Sequence, residues 1–324
     1  MAKGKSFVPA RDIGSLEGKV ILVTGGPYPS LVSKTCNAGL GKQTIIHLAA
    51  HAPARIYLAA RTASKAASAI ADIQSAVPNA CEIIHLPLDL ACFSSIAAAA
   101  DMFKARETRL DVLVNNAGIM AAPYATTKEG YEIQFGTNHM GHALLTKLLL
   151  PVLLDTAKQP GADVRIVTLS SMGHHMTPPH GIILRDQHAL QLVTTWRRYG
   201  ASKLANILYT RALAQRYPQI TCVSVHPGVI LTDLFNHVRS NPLLKLGIWL
   251  YGWIARFLPG HYTSAVEGAL NQTWCATVAK DELENGAFYT PVGVKNLGSK
   301  WAQSKELEKK LWEYTEEELL RQGY

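Results

Sequence analysis

The sequence predicts an α/β fold: one doubly wound parallel sheet of seven strands with helices on both faces. Three observations carry that expectation. Short β-rich runs alternate with longer helical ones along the 324 residues. The short runs are apolar on both faces, as strands are when helices cover a parallel sheet from either side. A cluster of glycines lies between the first strand and the first helix, where tight turns let backbone approach a bound phosphate.

Residues 20–24, 55–60, 82–87, 111–115, 163–170, 221–226 and 286–290 are the expected strands. Between them, residues 41–51, 64–77, 94–106, 131–154 (bent) and 199–217 have helical patterns, and 263–276 and 306–322 add two late helices. The alternation implies a ligand crevice at the carboxyl ends of the strands. Neither a repeat nor a linker interrupts it. Residues 1–18 therefore read as an extension and 19–324 as one domain, and 48% hydrophobic content is enough to bury a full core.

The net charge of +8 is scattered along the chain. Only Lys3, Lys5 and Arg11 are locally basic, while Lys305, Lys309 and Lys310 alternate with Glu306 and Glu308 as on a solvated helix face. That pattern argues against a nucleic-acid footprint. Five cysteines, an odd number without a CxxC pair, suit a reducing compartment, so a cytoplasmic protein is expected. Residues 1–18 lack the pattern of a signal peptide. Residues 243–258 are apolar but carry Lys245 and Arg256, and are short for a membrane span. A lipophilic lid is the ordinary reading there, and an interfacial membrane helix the lesser one.

Tyr199 and Lys203 stand four residues apart, so on a helix they share a face. A neighbouring cation stabilises a phenolate, which makes the pair a proton donor and acceptor suited to carbonyl reduction or alcohol oxidation. The first half of the chain offers a nucleotide site to accompany it. Gly25 ends the first strand, and Gly39-Leu40-Gly41 opens the next helix. Arg61 ends the second strand with no acidic residue in reach, which favours a 2′-phosphate and hence NADP(H). Asp89 follows the third strand, and Asn116-Ala117-Gly118 the fourth.

In this order the motifs resemble the short-chain dehydrogenase/reductase family, from about Gly18 to Tyr324. Residues 59–61, 134–139 and 226–228 look closest to its retinol-dehydrogenase and WW-domain-oxidoreductase-like branch, especially fungal members, many of which serve secondary metabolism. The resemblance implies a Rossmann fold and a catalytic tetrad. Tyr199 is the implied general acid/base, and Lys203 lowers its pKa and holds the nicotinamide ribose. Asn138 holds a water, and a serine after the fifth strand binds the substrate carbonyl. Aligning residues 167–171 on the strand end selects Ser171, whereas counting back from Gly173 selects Ser170; Ser171 is taken here. The implied NADP(H) contacts are Gly25, Gly39, Leu40, Gly41, Arg61, Asp89, Asn116, Ala117, Gly118, Tyr199, Lys203, Ile230 and Thr232. Residues 234–261 form the implied substrate lid, and the helices at 131–154 and 199–217 match the family's homodimer surface. The expected activity interconverts a carbonyl and an alcohol on a small lipophilic substrate, with no resident metal.

Residues 27–36, with Pro27 and Pro29, depart from this pattern inside the phosphate loop. Either they bulge outward and leave the glycines in place, or they disrupt the loop and leave a weak or silent member of the fold. Omitting them in frame restores the motif, as an error in the gene model would also explain. His174, His175 and His180 lie in a Pro-rich loop without matching ligand spacing, which disfavours a metal. His139 and His142 read as helix-packing residues, and the cysteines as small core hydrophobes. Trp249, Tyr251 and Trp253 either line a pocket or anchor the lid.

Overall fold

Strand β1 (Val20–Thr24) takes the middle of the sheet because all five of its side chains are buried, leaving no face suited to water. In this computed structural model, residues 4–25, 39–230, 261–262 and 264–324 are described. Strands β2 (Arg55–Ala60) and β3 (Glu82–Pro87) extend the sheet to one side. On the other side lie β4 (Val112–Asn115), β5 (Arg165–Leu169) and β6 (Thr221–Val225). Two short residue pairs, β7 (Val229–Ile230) and β8 (His261–Tyr262), form a separate parallel ladder. Strands β9 (Phe288–Tyr289) and β10 (Lys295–Asn296) complete the main sheet, whose order is β10-β9-β6-β5-β4-β1-β2-β3. The seven-stranded expectation thus becomes eight, since β10 adds an antiparallel edge too short to leave a period in the sequence.

Side chains alternate across β1, as strand geometry requires. Val20 and Leu22 join a core with Tyr57, Phe103 and Leu204 on one face, while Ile21 and Val23 pack with Ile45, Ile56 and Val167 on the other. Helices α1 (Pro9–Asp12), α2 (Leu40–Ala49), α3 (Ala63–Ala76) and α4 (Phe93–Arg106) precede β4. The residues of the N-terminal extension are not idle, since Ile13 and Leu16 are buried in the second core.

The helix expected over 131–154 runs unbroken over Ile133–Ala157, with one stretch wound more widely. It comprises α5 (Ile133–Phe135), a wide π-turn over Gly136–Met140 and α6 (Gly141–Ala157). Next come α7 (Gln187–Leu192) and α8 (Thr195–Arg216), the latter beginning four residues before Tyr199. The helix expected over 263–276 is two, α9 (Ala265–Gly268) and α10 (Leu270–Thr277). The C-terminal α11 (Lys305–Arg321) packs across α6 and α8. There Trp312 stacks on Tyr209 at 5.2 Å, His139 Nε2 lies 3.0 Å from Thr315 Oγ1, and Lys147 pairs with Glu316 at 2.7 Å. The expected lid at 234–261, its aromatic residues and the 27–36 insertion fall outside the described residues, apart from His261 in β8.

Candidate active site

The strand order reverses between β1 and β4, and the crevice opens there, at the carboxyl ends of the strands. Gly25, Ala60, Arg61, Asp89, Ala117 and Gly118 line it. Gly25 has φ +106°, in the region open to glycine. A Cβ on Gly41 would lie 2.4 Å from the Gly25 carbonyl oxygen and 2.8 Å from Asn116 Nδ2. The end of β1 and the start of α2 therefore touch, although residues 27–36 separate them along the chain. Gly39 is equally constrained, since its Cβ would fall 2.7 Å from Ala265 Cβ. Leu40 begins α2, whose first turn carries no acidic residue and whose open amides suit an anion.

Thr24 ties the two walls together. Its hydroxyl oxygen accepts from the Asn116 and Ala117 amides, each at 3.0 Å, and Asn116 Nδ2 donates to the Thr24 carbonyl at 2.7 Å. From α10, Gln272 donates to Asn116 Oδ1 at 3.1 Å and to Thr44 Oγ1 at 2.6 Å. Asp89 is held by the Ala91 amide at 3.0 Å, and exposed Arg61 stands at the end of β2. The Ile230 backbone pairs with Tyr262, while Thr232 lies outside the described residues.

Of the four other expected residues, Asn138 and Lys203 meet beside Gly118, and Ser171 and Tyr199 lie against Gly173. A Cβ on Gly118 would meet Asn138 Oδ1 at 3.1 Å and Lys203 Nζ at 3.3 Å. Asn138 is fully buried in the π-turn; it accepts from the Ile119 amide at 2.8 Å and donates to the Ile119 carbonyl and Ser202 Oγ, both at 2.9 Å. Lys203 donates to the Leu169 carbonyl at 3.0 Å, and burial pushes its pKa down to about 8. Its Nζ lies 5.9 Å from the centre of the Tyr199 ring.

The two serines differ in their partners. Ser170 donates its hydroxyl to the Lys203 carbonyl at 2.7 Å and is buried against α8. Ser171 Oγ accepts the Gly173 amide at 3.0 Å. A Cβ on Gly173 would lie 2.9 Å from Tyr199 Cε1 and 3.3 Å from Ser171 Oγ, so Ser171 and Tyr199 flank one point.

Residues 19–184 match the family model described as short chain dehydrogenase. The chain belongs to the short-chain dehydrogenase/reductase family. It is similar to the short-chain dehydrogenase/reductase drtF of Aspergillus calidoustus, 37% identical over 94% of this chain and 95% of that one. Retinol dehydrogenase 12 of Mus musculus is 35% identical over 92% of this chain and 85% of its own. Among solved structures, a gluconate 5-dehydrogenase from Burkholderia cenocepacia in complex with NADP and tartrate superposes with a TM-score of 0.63. It is 21% identical and covers 87% of this chain and 96% of that one, a likeness of fold.

As a short-chain dehydrogenase/reductase the protein is an oxidoreductase that binds a nicotinamide cofactor. The crevice fits such a group, since Gly25, Ala59, Ala60, Ala117 and Gly118 line it with backbone and small side chains, and the close contact of Gly25 with Gly41 holds the end of β1 against the start of α2. Several supporting residues escaped the sequence reading. Buried Arg198 pairs with Glu132 at 3.1 Å and donates to the Val193 carbonyl, fixing the chain just before Tyr199. Glu132 in turn accepts the Gln134 and Phe135 amides at 3.1 and 2.9 Å. His142, read as a packing residue, bridges Thr24 Oγ1 at 2.9 Å and the Asn138 carbonyl at 3.0 Å. Thr24 had a local signal, being the last strand residue before the glycines. Gln272 and Arg198 had none, because their partners are distant in sequence.

Proposed function

We propose that this oxidoreductase interconverts a carbonyl and an alcohol on a small lipophilic substrate, using NADP(H), with a setting in secondary metabolism. The observation that carries the reading is that Ser171 and Tyr199 both lie against Gly173, with buried Lys203 Nζ 5.9 Å from the centre of the Tyr199 ring. When bound, the nicotinamide supplies or takes the hydride. Tyr199 gives a proton to the carbonyl oxygen in reduction and takes one from the alcohol in oxidation. Ser171 donates a hydrogen bond to the same oxygen, stabilising charge as it develops. While protonated, Lys203 makes the Tyr199 phenol a better acid, and Asn138 holds the adjoining turn in place. Gly25, Gly39, Leu40, Gly41, Asp89, Asn116, Ala117, Gly118, Ile230 and Thr232 are proposed to cradle the dinucleotide.

The contact between Gly25 and Gly41 supports a working phosphate loop. NADPH titrated by fluorescence should bind with micromolar affinity to the full chain and to a variant lacking residues 27–36. Binding by the deletion variant alone would overturn this reading in favour of a silent member of the fold. Arg61 is proposed to pair with the 2′-phosphate. Arg61→Ala is expected to weaken NADPH binding roughly 10- to 100-fold, the scale of a lost charge-assisted contact, and to leave NADH binding unchanged. Equal losses for both cofactors would count against NADP(H) preference.

A further inference from the structure

We propose that His174 is a positioning residue for Ser171, a strut that ties the serine's own backbone to the C-terminal segment at Ser299. The inference rests on the roles proposed for Ser171 and Tyr199. Beyond β5 the chain makes one short 3-10 turn, Met172–His175, capped by Ser171. A turn this short has few internal hydrogen bonds, and on its own it is a loose mount for a group that must meet a reacting oxygen.

His174 supplies the missing support. It is fully buried, with Nδ1 2.7 Å from the Ser171 carbonyl oxygen and Nε2 3.0 Å from the Ser299 amide nitrogen. A carbonyl can only accept and a backbone amide can only donate, so the two partners fix the tautomer. Nδ1 carries the hydrogen, and Nε2 keeps its lone pair. The Ser171 carbonyl also accepts the His174 amide at 3.0 Å, so two donors converge on one oxygen.

The far end of the strut is built as firmly. Gly298 has φ +70°, and a Cβ there would lie 3.1 Å from His174 Nε2 and 2.8 Å from Ala302 Cβ. Only glycine allows this approach. The Gly298 amide donates to Asn296 Oδ1 at 2.8 Å, and Ser299 Oγ accepts the Ala302 amide at 3.3 Å. Phe288 meets the imidazole edge-on at 5.3 Å and fixes its plane. Burial pushes the His174 pKa down to about 4, consistent with a neutral ring serving both ends.

Two amide substitutions separate the ends. His174→Asn keeps a donor where Nδ1 stands and removes the group facing Ser299. His174→Gln keeps an acceptor where Nε2 stands and removes the donor to Ser171, and His174→Phe removes both. With a carbonyl compound that the wild type reduces, His174→Phe is expected to lower kcat up to ~100-fold, the scale of a reacting group misplaced by about 1 Å. KM and NADPH affinity should stay within about twofold. Each amide variant should recover part of the loss. Histidine nitrogen NMR of the wild type near neutral pH should show His174 as the neutral Nδ1–H tautomer. An unchanged kcat in His174→Phe overturns the proposal, as does an equal loss of kcat and NADPH affinity, which marks a generally structural residue. An Nε2–H or charged ring overturns it as well. If the wild type reduces no carbonyl compound, the proposed function fails, and the NMR result still decides whether the strut exists.

Discussion

Replacing Tyr199 by phenylalanine is expected to cost ~10²–10⁴-fold in carbonyl reduction, the usual range for a positioned proton donor, and to leave NADPH binding intact. The ring itself would stay. It is 9% exposed, packs against Gly173 and sits in a helix whose start is fixed by the Arg198–Glu132 pair. Only the hydroxyl is lost, so a steady-state assay following NADPH oxidation isolates the proton-transfer step. Full activity in Tyr199→Phe would rule out the mechanism. The same assay should show wild-type reduction falling as pH rises through about 8, where buried Lys203 gives up its charge. Stability should respond in the opposite sense. An unfolded lysine titrates near ~10.4, so between about 8 and ~10 the unfolded chain holds the extra proton and rising pH favours the folded state. Activity and the Lys203 contribution to stability should therefore diverge across that window. Lys203→Arg, charged throughout it, should lose the activity limb.

Ending the chain after Ser304 is expected to abolish folding. That cut removes α11, in which Leu307, Leu311, Tyr314 and Leu319 are buried. At ~1.5–3 kcal/mol for each large side chain, four of them represent roughly 6–12 kcal/mol of burial, comparable to the ~5–15 kcal/mol net stability of a typical domain. The cut also takes Trp312 from Tyr209 and Thr315 from His139, leaving an imidazole buried without that partner. Far-UV circular dichroism and thermal melting should show an aggregated or loosely packed product. A truncated chain melting within a few degrees of the full one would show that α11 is dispensable.

The limits of β1, β2 and β3 were legible to the residue because their apolar runs end at turn-forming sequence or charge. The later strands were harder. β9 and β10 have two residues each, a single period of alternation, and β7 finds β8 only across some thirty residues. Helix α8 begins with Thr195-Trp196-Arg197-Arg198, a polar stretch with no helical stripe; its start depends on Arg198 finding buried Glu132, a partner 66 residues away. At the site, residue types marked Tyr199, Lys203, Asn138 and the glycines, and the fold gathers them. The choice between Ser170 and Ser171 was open in the sequence. In the structure their partners differ, since the Ser170 hydroxyl donates to the Lys203 carbonyl whereas Ser171 Oγ accepts the Gly173 amide. The histidines show the same limit. His174 looked like a loop residue, and its partner Ser299 is 125 positions away.

Because α11 belongs to the same chain, the faces of α6 and α8 that it covers are closed by an intramolecular contact. Its local concentration is set by the short connection from β10 and does not change with the amount of protein present. Dilution therefore cannot strip this cover, as it could a separate subunit. The cover that Trp312 gives Tyr209 and Thr315 gives His139 stays in place even when each molecule is alone.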